Sequence, residues 1–154
     1  SFLPAAGKRI VFKARFKVSD ATQSDWIMGL QVTDTTPLAA DGDGVTDGIF
    51  FQKDDGDTNI DFYVQKNATT GQLTTTAWTT ASAADTYMTL AFVFDGKRTI
   101  DLFKNDALIK SVDIGGTFAT YMPDTELTIS FGLQNGEAVA KTMSVDYIFA
   151  AIER

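Results

Sequence analysis

The feature that most constrains this chain is an alternation of apolar and polar residues with a period of two. Ile10, Phe12, Ala14, Phe16 and Val18 are interleaved with Arg9, Lys13, Arg15 and Lys17. Successive side chains of an extended strand point to opposite faces, so this segment has one face to bury and one basic face. The pattern returns at Trp26, Met28, Leu30 and Val32, at Ile49 and Phe51, and at Ile60, Phe62 and Val64. It recurs at Met88, Leu90, Phe92 and Phe94, at Leu127, Ile129, Phe131 and Leu133, and finally at Met143, Val145, Tyr147 and Phe149. Segments 99–104 and 107–114 read as the arms of a hairpin. Lys104-Asn105-Asp106-Ala107 joins them, since Asn and Asp tolerate left-handed backbone angles.

Asp-Gly pairs at 41–42, 43–44, 47–48 and 95–96, with Gly115-Gly116 and Asn135-Gly136, punctuate the strands. Only 77–84 and 136–140 read as short helical turns. Roughly nine to eleven short strands without a long helix predict an all-β fold, an antiparallel two-sheet β-sandwich of the jelly-roll kind. The last strand runs to the C-terminus, which fits a jelly roll whose first and last strands lie side by side. With 154 residues, 44% of them apolar, and no repeat or linker, residues 1–154 read as one domain. The chain begins at Ser1 rather than Met, so an upstream N-terminal segment is expected beyond it. The predicted core is Phe12, Phe16, Trp26, Leu30, Phe62, Leu90, Phe92, Phe131 and Tyr147.

Two absences narrow the chemistry. Without His the chain has no Ser-His-Asp or Cys-His triad, no His-based zinc site and no ordinary neutral-pH base. Without Cys it has neither thiol nucleophiles nor disulfides. A formal charge of −7 disfavours nucleic acid and anionic membrane as partners, and no apolar run is long enough to span a bilayer. Glu occurs only at 126, 137 and 153, and none belongs to the Glu-x-Asp-x-x-Glu strand motif of laminarinase-type glycosidases. These features favour a non-enzymatic protein.

Three constellations remain. The acidic stretches DTTPLAADGDGVTD (34–47) and KDDGDTNID (53–61) offer oxygens at Asp41, Asp43 and Asp47, and at Asp55, Asp57, Asn59 and Asp61, as a calcium loop would. Neither fits the EF-hand pattern, and surface turns built from Asp and Gly are the simpler reading, with no resident metal or cofactor. Trp78 sits in a polar, small-residue stretch, as a sugar platform, an interface anchor, or a cap on the core beneath a loop. Val11, Phe50, Tyr63, Phe103 and Ile148 are apolar residues on the second faces of strands. They either support loops and curved edges or form a contact surface, for which Phe50, Tyr63, Trp78 and Phe103 are the candidates, with Lys13 and Lys17 supplying charge.

The segments SDATQSDW (19–26), TDGIFF (46–51), KDDGDT (53–58) and VDYI (145–148) resemble a family of small proteins from the structural-gene region of tailed bacteriophages. The resemblance runs from about Ile10 to Arg154 and rests on turn and strand signatures. It implies a concanavalin A-like jelly roll in the virion, a decoration protein that stabilises the capsid through contacts with the major capsid protein and with itself as a trimer or dimer. It carries over no catalytic residue. The alternative is a lectin-like module that adheres to glycans. The His-containing metal constellation of legume lectins has no counterpart in this chain.

Overall fold

The alternation resolves into two antiparallel sheets. The structure, a computed structural model, describes residues 1–38, 44–114 and 118–154, with backbone alone along 69–81. The elements are β1 (Ile10–Val18), β2 (Ser24–Gln31), β3 (Gly48–Lys53), β4 (Asn59–Lys66), β5 (Thr69–Ala81), β6 (Met88–Phe94), β7 (Thr99–Lys104), β8 (Ala107–Asp113), α1 (Phe118–Tyr121), β9 (Thr128–Asn135) and β10 (Met143–Ile152). The first sheet runs β10-β1-β6-β7-β8 and the second β5-β4-β3-β2-β9. The first and last strands pair, as expected from the sequence. Among the described residues no helix is long and apolar enough to cross a membrane.

Aromatic rings fill the space between the sheets. Phe12 stacks on Phe92 within the first sheet at 5.4 Å. Phe51 and Phe62 reach across from the second sheet to the same Phe92 ring at 6.1 and 5.7 Å. Phe16 meets Trp26 edge-on at 5.1 Å. Offset and edge-on contacts of this kind suit the ring quadrupole and make Phe92 the hub of the core. The β7–β8 hairpin turns at Asn105 and Asp106, with φ of 50° and 65°, the left-handed angles expected of those residue types.

Two expected core residues lie outside. Phe131 has the right phase, opposite Met28, yet it is 53% exposed because β9 is the edge strand of its sheet. Tyr147 has the wrong phase. The β1–β10 register shifts between Arg15 and Phe16, and one extra residue moves every later side chain to the other face. Tyr147 therefore opposes Arg15 on the outer face, while Ile148, Ala150 and Ile152 pack on the core. The two helical readings also fail. Residues 77–81 continue β5, whose threonine-rich sequence suits a strand, and 136–140 form no helix, whereas α1 had no sequence signal.

The outer face of the second sheet carries a smaller core of its own. Ile27, Val45 and Phe50 are buried together, with Leu38 and Tyr63 packed against them. Phe50 stacks on Tyr63 at 5.4 Å, over Gly29, where an added Cβ would lie 2.5 Å from the Phe50 Cα. Phe50, fully buried, is thus a loop support and not a contact residue, and Tyr63, half-buried, packs against it.

Candidate functional site

The basic face of β1 becomes the centre of the first sheet's outer surface. Lys13 Nζ donates to Asp106 at 2.6 Å, an Arg15 nitrogen to Asp146 at 2.5 Å, and Lys17 Nζ to Asp85 at 3.2 Å. Lys13, Arg15 and Lys17 are therefore each matched by a carboxylate from another strand or turn. The Arg15 guanidinium carbon lies 4.3 Å from the Tyr87 ring centre, and Lys17 Nζ lies 5.6 Å from it. Both distances fall within cation–π range. The hydrogen bond to Asp106 raises the Lys13 pKa, and Tyr147 adds to the shift.

Cross-strand register fixes what surrounds these pairs. A row crosses the sheet from Phe149 through Lys13, Ala91 and Phe103 to Leu108. Phe149 and Leu108 are more than half exposed, Tyr87 and Tyr147 are 40% exposed, and Phe103 is half-buried. The structure thus brings Lys13, Lys17 and Phe103 to one face and places Phe50 and Tyr63 on another. Trp78 lies opposite Ile60 in β5, and its side chain is outside the described residues. Tyr147 and Phe149 escaped sequence reasoning because the β10 bulge hides their phase. Tyr87 precedes β6 and carries no periodic signal.

The acidic stretch at 53–61 is organised around its own cation. Lys53 is fully buried, and its Nζ donates to the carbonyls of Thr22 at 3.0 Å and Asp57 at 2.9 Å. The Asp57 carboxylate accepts from the Asn59 amide at 2.9 Å, and Asp25 accepts from the Asp55 amide. Asp41 and Asp43 lie outside the described residues. Among the described residues no three acidic side chains converge as metal ligands.

The pH response follows from the shifted groups. Hydrogen bonds hold four carboxyls below their ordinary values: from Lys141 and two backbone amides to Asp20, from Asn59 to Asp57, from Lys66 to Asp124, and, against the opposing effect of burial, from the Lys97, Thr99 and Arg98 amides to Asp95. In acid the unfolded chain takes up these protons first, so stability is lost as pH falls below about 4. Asp25, which burial pushes upward, opposes this in part. With no His, the melting temperature is expected to stay level between about pH 6 and 8 and drop below about 4. A calorimetric pH series with a step near neutrality would contradict this.

No protein-family model and no curated protein matches the chain. Among solved structures, galectin LEC-6 of Caenorhabditis elegans superposes with a TM-score of 0.53 at 15% identity, over 100% of this chain and 87% of the galectin. The PL7 alginate lyase AlyA1 from Zobellia galactanivorans superposes with a TM-score of 0.52 at 11% identity, over 99% of this chain and 64% of the lyase. The fold is a concanavalin A-like jelly-roll sandwich. It is shared by a lectin and an enzyme, so it does not decide between binding and catalysis. The virion and capsid expectations rest on the sequence resemblance alone.

Proposed function

We propose that the protein is a non-enzymatic, lectin-like carbohydrate-binding module whose glycan lies on the outer face of the first sheet. The observation that carries this reading is the exposure of Tyr87, Tyr147 and Phe149 around three cation–carboxylate pairs. Each pair fixes a donor beside an acceptor, and a sugar hydroxyl is both. The apolar C–H face of a sugar ring packs on an aromatic side chain, and Tyr147 and Phe149 stand two residues apart on one strand, about 7 Å. The galectin fold supports the reading.

Calorimetric titration against a glycan panel tests it. Tyr147→Ala and Phe149→Ala should each weaken the best ligand about tenfold, or 1.4 kcal/mol, with the melting temperature nearly unchanged. A panel without a single binder would refute the glycan reading, and unaltered affinity in the double variant would move the site elsewhere.

The row on the same face, apolar at Ala91, Phe103 and Leu108 and again at Phe149 beyond Lys13, favours a second reading as a capsid decoration protein in the virion. Its partners would be the major capsid protein and its own copies. Co-sedimentation with capsid particles, with no glycan bound, is the result that would place this reading first.

A further inference from the structure

We propose that two copies of this chain associate edge to edge through β9, antiparallel about Phe131, joining their second sheets. β9 ends the second sheet, and beyond the bridge between Phe2 and Leu127 at its start, one side of its backbone has no strand partner among the described residues. Such an edge invites pairing unless charge, proline or a bulge blunts it. The other sheet edges are blunted. β8 is irregular opposite Phe103 and carries Lys110 and Asp113, and β10 is bulged and carries Asp146. β5 is uncharged but pairs with β4 through three register shifts. β9 alone pairs in unbroken register and has no charged residue among its eight. On a chain of net charge −7, an uncharged edge lets two copies meet without repulsion.

The occupant is argued from the strand's own pattern. Counting outward from Phe131, Ser130 and Gly132 stand one residue away, Ile129 and Leu133 two, and Thr128 and Gln134 three. A two-fold axis at Phe131 sets Phe131 against the partner's Phe131 and Ile129 against the partner's Leu133. It also sets Ser130 against the partner's Gly132. Apolar side chains meet apolar ones, and small or polar residues meet their like, as an isologous contact requires. Ile129 is 36% and Phe131 53% exposed, although their cross-strand neighbours Leu30 and Met28 are fully buried. A second copy supplies the missing cover.

The space beside the edge fits. A groove of about 630 Å³ lies between β9 and the segment 34–38. A second groove, of about 280 Å³, continues past Ile129 and Ser130, where Gln31 Oε1, on a residue only 2% exposed, has no hydrogen-bond partner.

Sedimentation velocity across a concentration series, with hydrogen exchange on the same samples, tests the proposal. The wild-type chain should dimerise, and amides of β9 should gain protection as concentration rises. The Ile129→Lys/Phe131→Lys variant should weaken the dimer about a hundredfold, because like charges then face each other across the axis. Phe131→Leu should retain it. A monomer at every concentration overturns the proposal, as does a dimer that the lysines leave intact or one whose protection falls on β8 or β10. Should the lysine variant fail to fold, the wild-type exchange pattern still decides. Glycan affinity is measured separately and does not bear on this result.

Discussion

Phe92→Ala should lower the free energy of unfolding by about 3–5 kcal/mol, the range for removing a phenyl ring from a packed core. Phe92 is fully buried and touches rings from both sheets: Phe12 beside it, and Phe51 and Phe62 opposite. Truncation therefore removes the transfer free energy of one ring and also the partner of three others. Sheet backbones on either side are held by their ladders and close such a gap only partly, so most of the cavity cost remains. Urea unfolding should show a lower midpoint with an unchanged slope. Phe131→Ala is the matched control, the same truncation at a position of the same inward phase that is 53% exposed in the monomer. In dilute monomer it should cost under about 1 kcal/mol, and a similar loss for both variants would refute the assignment of Phe92 as the hub.

That contrast also shows which parts of the fold the sequence could disclose. Period-two alternation reveals which residues share a face, and it placed Phe12, Phe16, Trp26, Phe62 and Phe92 correctly inside. It does not reveal whether a strand ends its sheet, since that depends on pairings distant in sequence. Phe131 was misplaced for that reason. Nor does it reveal a single-residue bulge, which moved Tyr147 and Phe149 from the core to the surface and so hid two members of the candidate site. The basic face of β1 was legible, but its carboxylate partners Asp106, Asp146 and Asp85 come from three distant segments. Phe50 was misread because the connection between β2 and β3 folds back over the outer face of its own strand, bringing Leu38 and Val45 onto it, which alternation does not reveal.

Lys53→Met should cost a comparable amount, about 3–5 kcal/mol, because it removes a buried cation and leaves the carbonyls and the partly exposed carboxylates around it without their partner. The Lys53 ammonium is bonded to two carbonyls, of Thr22 between β1 and β2 and of Asp57 between β3 and β4. It thereby ties two turns that are also joined by a backbone bond from the Gly56 amide to Thr22. Burial pushes its pKa down, and Asp25, Asp55, Asp20 and Asp54 push it back up, so the charge is retained by the carboxylates around it. Methionine matches the volume and restores none of this. The Thr22 carbonyl loses the ammonium but keeps the Gly56 amide, the Asp57 carbonyl loses the ammonium, and four carboxylates lose the cation that offsets their mutual repulsion. The carboxyls of Asp25 and Asp57, on which the Lys53 charge exerts a downward pull, should then titrate higher in the folded variant, so that it binds protons more readily than the wild type as pH falls. The deficit should therefore be largest near neutrality and should shrink below about pH 4, where protonation removes the repulsion. Equilibrium unfolding of both proteins across that range measures it. A deficit under about 1 kcal/mol at neutral pH, or one that grows in acid, would show that Lys53 is not the cation around which these turns fold.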